Sequence, residues 1–267
     1  MKTKKTTLVS FSADPPTIDI KMPTKWTELS DDELRLVFRA IDTYTDPKDN
    51  VPFHVFRCLS GMRVERREED RFLCSFGNGK KKFRCWLTPA QLDEHLECLS
   101  FLSEPDDVPV RLNRIGFGQK KSYQGVNPQL HGVSFLDYVK VENLYQGFIR
   151  TKDITDILKI TSILYPGFRP EKDRISAYEA LSIIQWLVQV KEMFSKTFHH
   201  FFKPAGADSG TAPSMVEIMN NEIRALTGGD VSKEEEIFDI DCWRCLTELD
   251  FKAKEAEEFN RLKNKNK

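Results

Sequence analysis

The sequence predicts a mainly α-helical α+β protein, with short strands, helices and a β-hairpin in the N-terminal half and a helical bundle in the C-terminal half. Three observations predict it. Residues 71–87 hold two alternating runs about Gly77-Asn78-Gly79, which is the pattern of a hairpin. From residue 133 onward apolar residues recur at three- and four-residue spacing, interrupted only by capping residues and glycine stops. Ser30 with Glu33 and Thr88 with Gln91 form capping boxes that open helices in the first half.

The bulk numbers fit such a fold. At 267 residues, 40% hydrophobic and 30% charged, the chain builds a core without disulfides. The six cysteines then read as thiols in a reducing compartment. Lys plus Arg number 40 against 41 Asp plus Glu, so net charge steers nothing toward phosphate. No apolar run approaches the roughly 18–20 residues of a bilayer crossing, and the most apolar stretch, 180–190, includes or adjoins Glu179, Gln185 and Gln189. Residues 1–10 carry lysines and then meet Asp14-Pro15-Pro16 instead of a secretory apolar region. A cytosolic location is expected.

In chain order, Val9 with Phe11 and the alternating 17–22 suggest two short paired strands. A helix over 31–44 follows, with Leu34, Val37, Phe38 and Ile41 as its buried stripe. Val51-Pro52 opens a second helix that ends near Gly61, and the charged residues 65–71 belong to solvent. In the hairpin 71–87, alternation puts Phe72, Cys74, Phe76, Phe83, Cys85 and Leu87 on one face. Lys80, Lys82 and Arg84 then share the other face with Trp86. Such a face either contacts nucleic acid or a partner, or is a solvated edge guarded by lysines. A third helix runs from Pro89 to about residue 102, and 110–115 suggests a further strand.

Residues 116–132 turn to Gly, Gln, Lys, Ser and Asn and read as a linker or mobile loop between an α+β half, 1–115, and the bundle, 133–267. In the bundle, Ser134 and Thr151 are expected caps, 174–202 is the longest helix, and 203–214 is a flexible excursion. A helix at 215–226 stops at Gly228-Gly229, a third capping box spans 232–235, and a last helix covers 235–262.

No local motif demands covalent chemistry. Cys242-Trp243-Arg244-Cys245 has the C-x-x-C spacing, but lies within a helical pattern, away from the helix start that activates such thiols. It also lacks a second ligand pair for zinc. His199-His200 sit at a helix end, where the dipole accounts for them, and consecutive helical residues diverge by about 100°. Gly116-Phe117-Gly118 lacks the rest of a phosphate loop, and acids such as Asp31-Asp32 and 234–236 fall in first turns. No catalytic, cofactor-binding or metal residue is assigned, and no cofactor is expected.

Residues 20–30 (Ile-Lys-Met-Pro-Thr-Lys-Trp-Thr-Glu-Leu-Ser), 130–135 (Leu-His-Gly-Val-Ser-Phe), 142–147 (Glu-Asn-Leu-Tyr-Gln-Gly) and 223–230 (Ile-Arg-Ala-Leu-Thr-Gly-Gly-Asp) resemble uncharacterised proteins encoded in phage and prophage regions of Bacteroidetes. A helical protein ending in a Trp-containing charged helix, here 242–258, is similar to the tail assembly chaperones. The resemblance implies a non-enzymatic assembly or structural protein of the bacterial host cytoplasm or the virion. Its partners would be other phage structural proteins, a tape-measure protein among them. The β-rich first half departs from a minimal chaperone. The alternative is a nucleic-acid-binding module using Lys80, Lys81, Lys82, Arg84 and Trp86 with Arg111, Arg114, Lys120 and Lys121; a third reading is an enzyme of unrecognised type.

Overall fold

Strands gather in the first half, where aromatic and β-branched residues alternate, and long helices in the second. The computed structural model describes residues 5–9, 17–46, 50–77, 82–104, 107–116, 121–202 and 215–265. It has the mainly helical α+β composition expected. The expected excursion 203–214 lies outside the described residues. The chain forms two compact units, Met1–Asp106 with Ala177–Ser182, and Asp107–Ser176 with Ile183–Lys267.

In the first unit, β1 (Lys5–Val9) pairs antiparallel with β2 (Thr17–Lys21). Ser30 caps α1 (Asp31–Thr43): its hydroxyl accepts from the Glu33 amide at 3.3 Å while its own amide donates to Glu33 at 2.8 Å. The helix buries Leu34, Val37 and Phe38, and Trp26 stacks on Phe38 with centroids 5.9 Å apart. The Trp26 indole N–H reaches the Glu104 carbonyl at 3.0 Å, so its ring is buried with its donor satisfied. Helix α2 (Val51–Ser60) starts at an Asn50 cap and stops at Gly61, whose φ of 67° is the left-handed conformation a helix end requires.

The expected hairpin is present as β4 (Phe72–Phe76) and β5 (Phe83–Leu87), with Phe72 opposite Leu87, Cys74 opposite Cys85 and Phe76 opposite Phe83. Cys74, Cys85, Phe76 and Leu87 are buried, as alternation requires. The charged segment expected in solvent is itself a strand, β3 (Arg63–Arg67), paired with β4 and bulged between Val64 and Arg66. Every residue of β3 is exposed, so it carries no in-out alternation by which it could be recognised. After the hairpin comes α3 (Pro89–Leu96), opened by the Thr88–Gln91 box and continued as a 3₁₀ turn over Glu97–Ser103.

In the second unit, β6 (Arg114–Ile115) pairs with β7 (Tyr123–Gln124), which shortens the strand expected at 110–115 to two residues. The described part of 116–132 is tied down rather than free. The Gly125 amide donates to Asn113 and the Val126 amide to Leu164, each at 2.8 Å, and Leu130 is buried. The chain passes from the first unit to the second at Asp106–Asp107, and Ala177–Ser182 belong again to the first.

Ser134 caps α4 (Phe135–Thr151) as expected. The cap of α5 (Ile154–Leu164) is Asp153 rather than Thr151, which is the last residue of α4. A carboxylate accepts from the first turn more strongly than a hydroxyl. The long helix, α6, is shorter than the pattern suggested, at Ala177–Thr197. Its second-unit part buries Ile183, Trp186, Leu187, Val190 and Phe194, each such side chain contributing roughly 1.5–3 kcal/mol.

Helix α7 (Met215–Thr227) ends at Gly228 and Gly229, with φ of 66° and 87°. The third capping box does not form: Asp230 caps a 3₁₀ turn, Val231–Lys233, that leads into α8 (Glu234–Asp239). The single last helix expected from the periodicity is two, because Ile240 and Asp241 leave the helix before α9 (Cys242–Lys265). That break is made by distant chain. The Phe135 amide donates to Ile240 at 2.7 Å and the Cys242 amide to Val133 at 2.9 Å, across a bridge between Ser134 and Asp241. Beyond Lys252 the helix is charged, with Phe259 and Leu262 exposed.

Candidate functional site

A groove of about 1170 Å³ lies in the second unit, walled by α4, α6, α7 and α9. On α4, Tyr138, Glu142 and Gln146 follow one another at four-residue spacing and so share one face. Phe194 of α6, Phe201 and Phe202 of the following turn, Ala225 of α7 and Leu249 of α9 supply carbon-rich walls. The turn is held by Asp250, whose carboxylate accepts from the amides of His200 and Phe201 at 2.8 and 3.0 Å.

Two carboxylates from different helices meet across this groove. Glu142 accepts from Lys191 at 2.5 Å and from the Gln146 amide at 2.8 Å, both on Oε1. Glu222 of α7 has no cationic side chain within salt-bridge distance among the described residues. Burial, and then the charge of Glu142, push its carboxyl up to about 7. The same causes push the Tyr138 phenol well above its ordinary value: burial first, then Glu142 and Glu222. Asn143, on the same wall, keeps a buried Oδ1 with no hydrogen-bond partner. The groove is therefore apolar over much of its wall, with one buried acceptor, Asn143 Oδ1, left without a donor.

None of these residues was among the functional candidates read from the sequence. One signal was there: Glu222 falls in the apolar register of 215–226, three residues before Ala225 and four before Leu226.

The sequence-derived candidates lie elsewhere. Lys80 is outside the described residues. Lys82 and Arg84 both pair with Glu65 of β3, Arg84 at 2.9 Å. These contacts depress the Glu65 carboxyl, the Lys82 hydrogen bond most of all. Trp86 carries the Arg71 guanidinium 4.5 Å above its ring. The single carboxylate of Glu65 is thus shared by two cations, and β3 itself adds the exposed Arg63, Arg66 and Arg67 beside them. Arg111, offered as a further nucleic-acid contact, is 1% exposed.

The C-x-x-C pair does occupy a helix start, contrary to the sequence reading, since Cys242 is the first residue of α9. Its thiols are nonetheless masked. Burial, with Asp241 adding to it, pushes Cys242 up to about 12 and Cys245 up to about 11. Desolvation here outweighs the dipole that lowers thiols at exposed helix starts. His200 lies in the turn beyond α6 with Nδ1 3.2 Å from Glu257. Among the described residues, no three His, Cys, Asp or Glu side chains are grouped to hold a metal ion, and no helix is long and apolar enough to cross a membrane.

Comparison with known proteins finds no matching family, no matching curated protein and no matching solved structure.

Proposed function

We propose that this chain is a non-enzymatic assembly protein of the tail assembly chaperone type, acting through protein–protein contacts in the host cytoplasm. The single observation that carries the reading is the groove of about 1170 Å³ between α4, α6, α7 and α9. Its walls come from the sides of helices, so an inserted helix packs ridge into groove against them. Its volume exceeds the roughly 300–1,000 Å³ of clefts that enclose a small molecule. A phage structural protein, the tape-measure protein first, is the client that the sequence resemblance implies.

The test is copurification from cells carrying the native neighbouring genes, with the tagged chain compared with Ala225→Arg and with Ser232→Arg as an exposed control. Loss of one protein from the Ala225→Arg sample alone, followed by crosslinks from that protein to α4 or α7, supports the reading. Retention of every partner by a folded Ala225→Arg chain removes it.

A further inference from the structure

We infer that the occupant of the groove is a basic amphipathic helix, whose Lys or Arg side chain enters between Glu142 and Glu222 while its apolar face lies on Phe194, Phe201, Phe202 and Leu249. The inference rests on the helix-in-groove reading above and adds the chemistry of the partner.

Charge complementarity selects the occupant. The charged groups along the groove are Glu142 on α4, Lys191 and Glu192 on α6, Glu222 on α7 and Lys252 on α9. Most are already matched. Lys191 holds Glu142, Lys196 holds Glu192 at 2.9 Å, and Lys252 lies 3.6 Å from Glu248. Glu222 is left with a neighbouring carboxylate and no cation among the described residues. An uncompensated buried charge is costly, and a partner that supplies the missing sign removes that cost on binding.

The hydrogen-bonding inventory agrees. Glu142 holds Lys191 and Gln146 on Oε1 and leaves Oε2 clear of both, no cation of the described residues pairs with Glu222, and Asn143 Oδ1 is buried without a donor. An ammonium brings three N–H groups and a guanidinium five, with no acceptor to conflict. An acidic insert would add a third carboxylate, and a wholly apolar one would seal these acceptors away from water unpaired. The long aliphatic stem of Lys or Arg also suits a route past phenylalanine walls.

The experiment is a display selection of helical peptides, about 20 residues long, on the full chain, with counter-selection against Ala225→Arg or, if that variant does not fold, Ala253→Arg. The expected result is a Lys or Arg recurring at one position of the apolar face. That preference should vanish when the selection is repeated on Glu222→Gln. Replacing the recurrent basic residue by norleucine should weaken binding to the wild-type chain about tenfold, as loss of one charge-assisted hydrogen bond does. It should leave binding to Glu222→Gln nearly unchanged. Enriched peptides without a basic residue, or with the same preference on Glu222→Gln, overturn the inference and leave the helix-in-groove reading standing. No peptide distinguishing the wild type from the blocked groove removes both.

Discussion

Arg111 and Gly125 are matched in size: a methyl group on Gly125 would lie 2.1 Å from Arg111 Nη1 and 2.9 Å from its Cζ. The guanidinium has nowhere to retreat. It sits 4.7 Å from the Tyr165 ring centre and 5.3 Å from that of Trp186, and it donates to the carbonyls of Leu112 and Val126 at 3.2 and 2.5 Å. Gly125→Ala is therefore an overpacking change, expected to cost about 2–3 kcal/mol. Urea unfolding should show the midpoint falling with the slope unchanged. An unaltered midpoint would mean that the guanidinium finds another seat.

Arg35 and Glu179 form a buried pair in the first unit, 3.5 Å apart with side chains 5% and 1% exposed, and Asp31 approaches the same guanidinium at 3.0 Å. Removing one charge leaves the other buried. Arg35→Met takes the guanidinium from the buried Glu179 carboxylate and should cost about 3 kcal/mol, whereas Arg35→Met with Glu179→Leu should recover most of that loss. Thermal melts of the two variants decide this, and a double variant less stable than the single one would contradict it.

Glu222 makes stability fall as pH rises. Its carboxyl moves from an ordinary 4.5 to about 7 on folding, so between those values the folded state holds the proton more tightly than the unfolded one. The favourable contribution is complete below pH 4.5 and is lost as pH rises through 7, a difference on the order of 3 kcal/mol. Glu222→Gln should match the wild type in stability near pH 5 and exceed it at pH 8. Parallel stability curves across that range would show that the carboxyl is solvated in the folded chain.

Thiol chemistry should be confined to Cys58. It is the exposed cysteine, and Cys74, Cys85, Cys98, Cys242 and Cys245 are buried. Burial raises Cys74 and Cys85 to about 11 as well, leaving almost no thiolate at neutral pH. Native protein treated with a maleimide at pH 7.5 should take one label by mass, Cys58→Ser none, and the denatured chain six. Rapid labelling of Cys242 would instead indicate that the start of α9 opens.

How far the fold was legible follows the range of the interactions that make each element. The boxes at Ser30 and Thr88 close over three residues, so composition alone locates them. The register of β4 against β5 is legible because one face is buried and a one-residue slip would turn that face outward. Strand β3 was missed because all its side chains are solvated. Only its hydrogen bonds to β4 define it.

The break before Cys242 was missed for a different reason. Its amide partners, Val133 and Ile240 with Phe135, are brought together by packing and not by any local preference. Trp243 shows the same dependence, its indole N–H bonding the Gln129 carbonyl at 2.7 Å.

By itself, then, the sequence determined the helix-rich α+β class, most of the caps and stops, and the buried face of the hairpin, because each is decided by neighbours in the chain or by a strict period of burial. Tertiary structure alone decided that Lys82 and Arg84 face Glu65, that the C-x-x-C thiols are sealed in a core, and that Glu142 and Glu222 confront each other across an apolar groove. Charge and burial act through space, and proximity between distant segments is settled only when the helices pack.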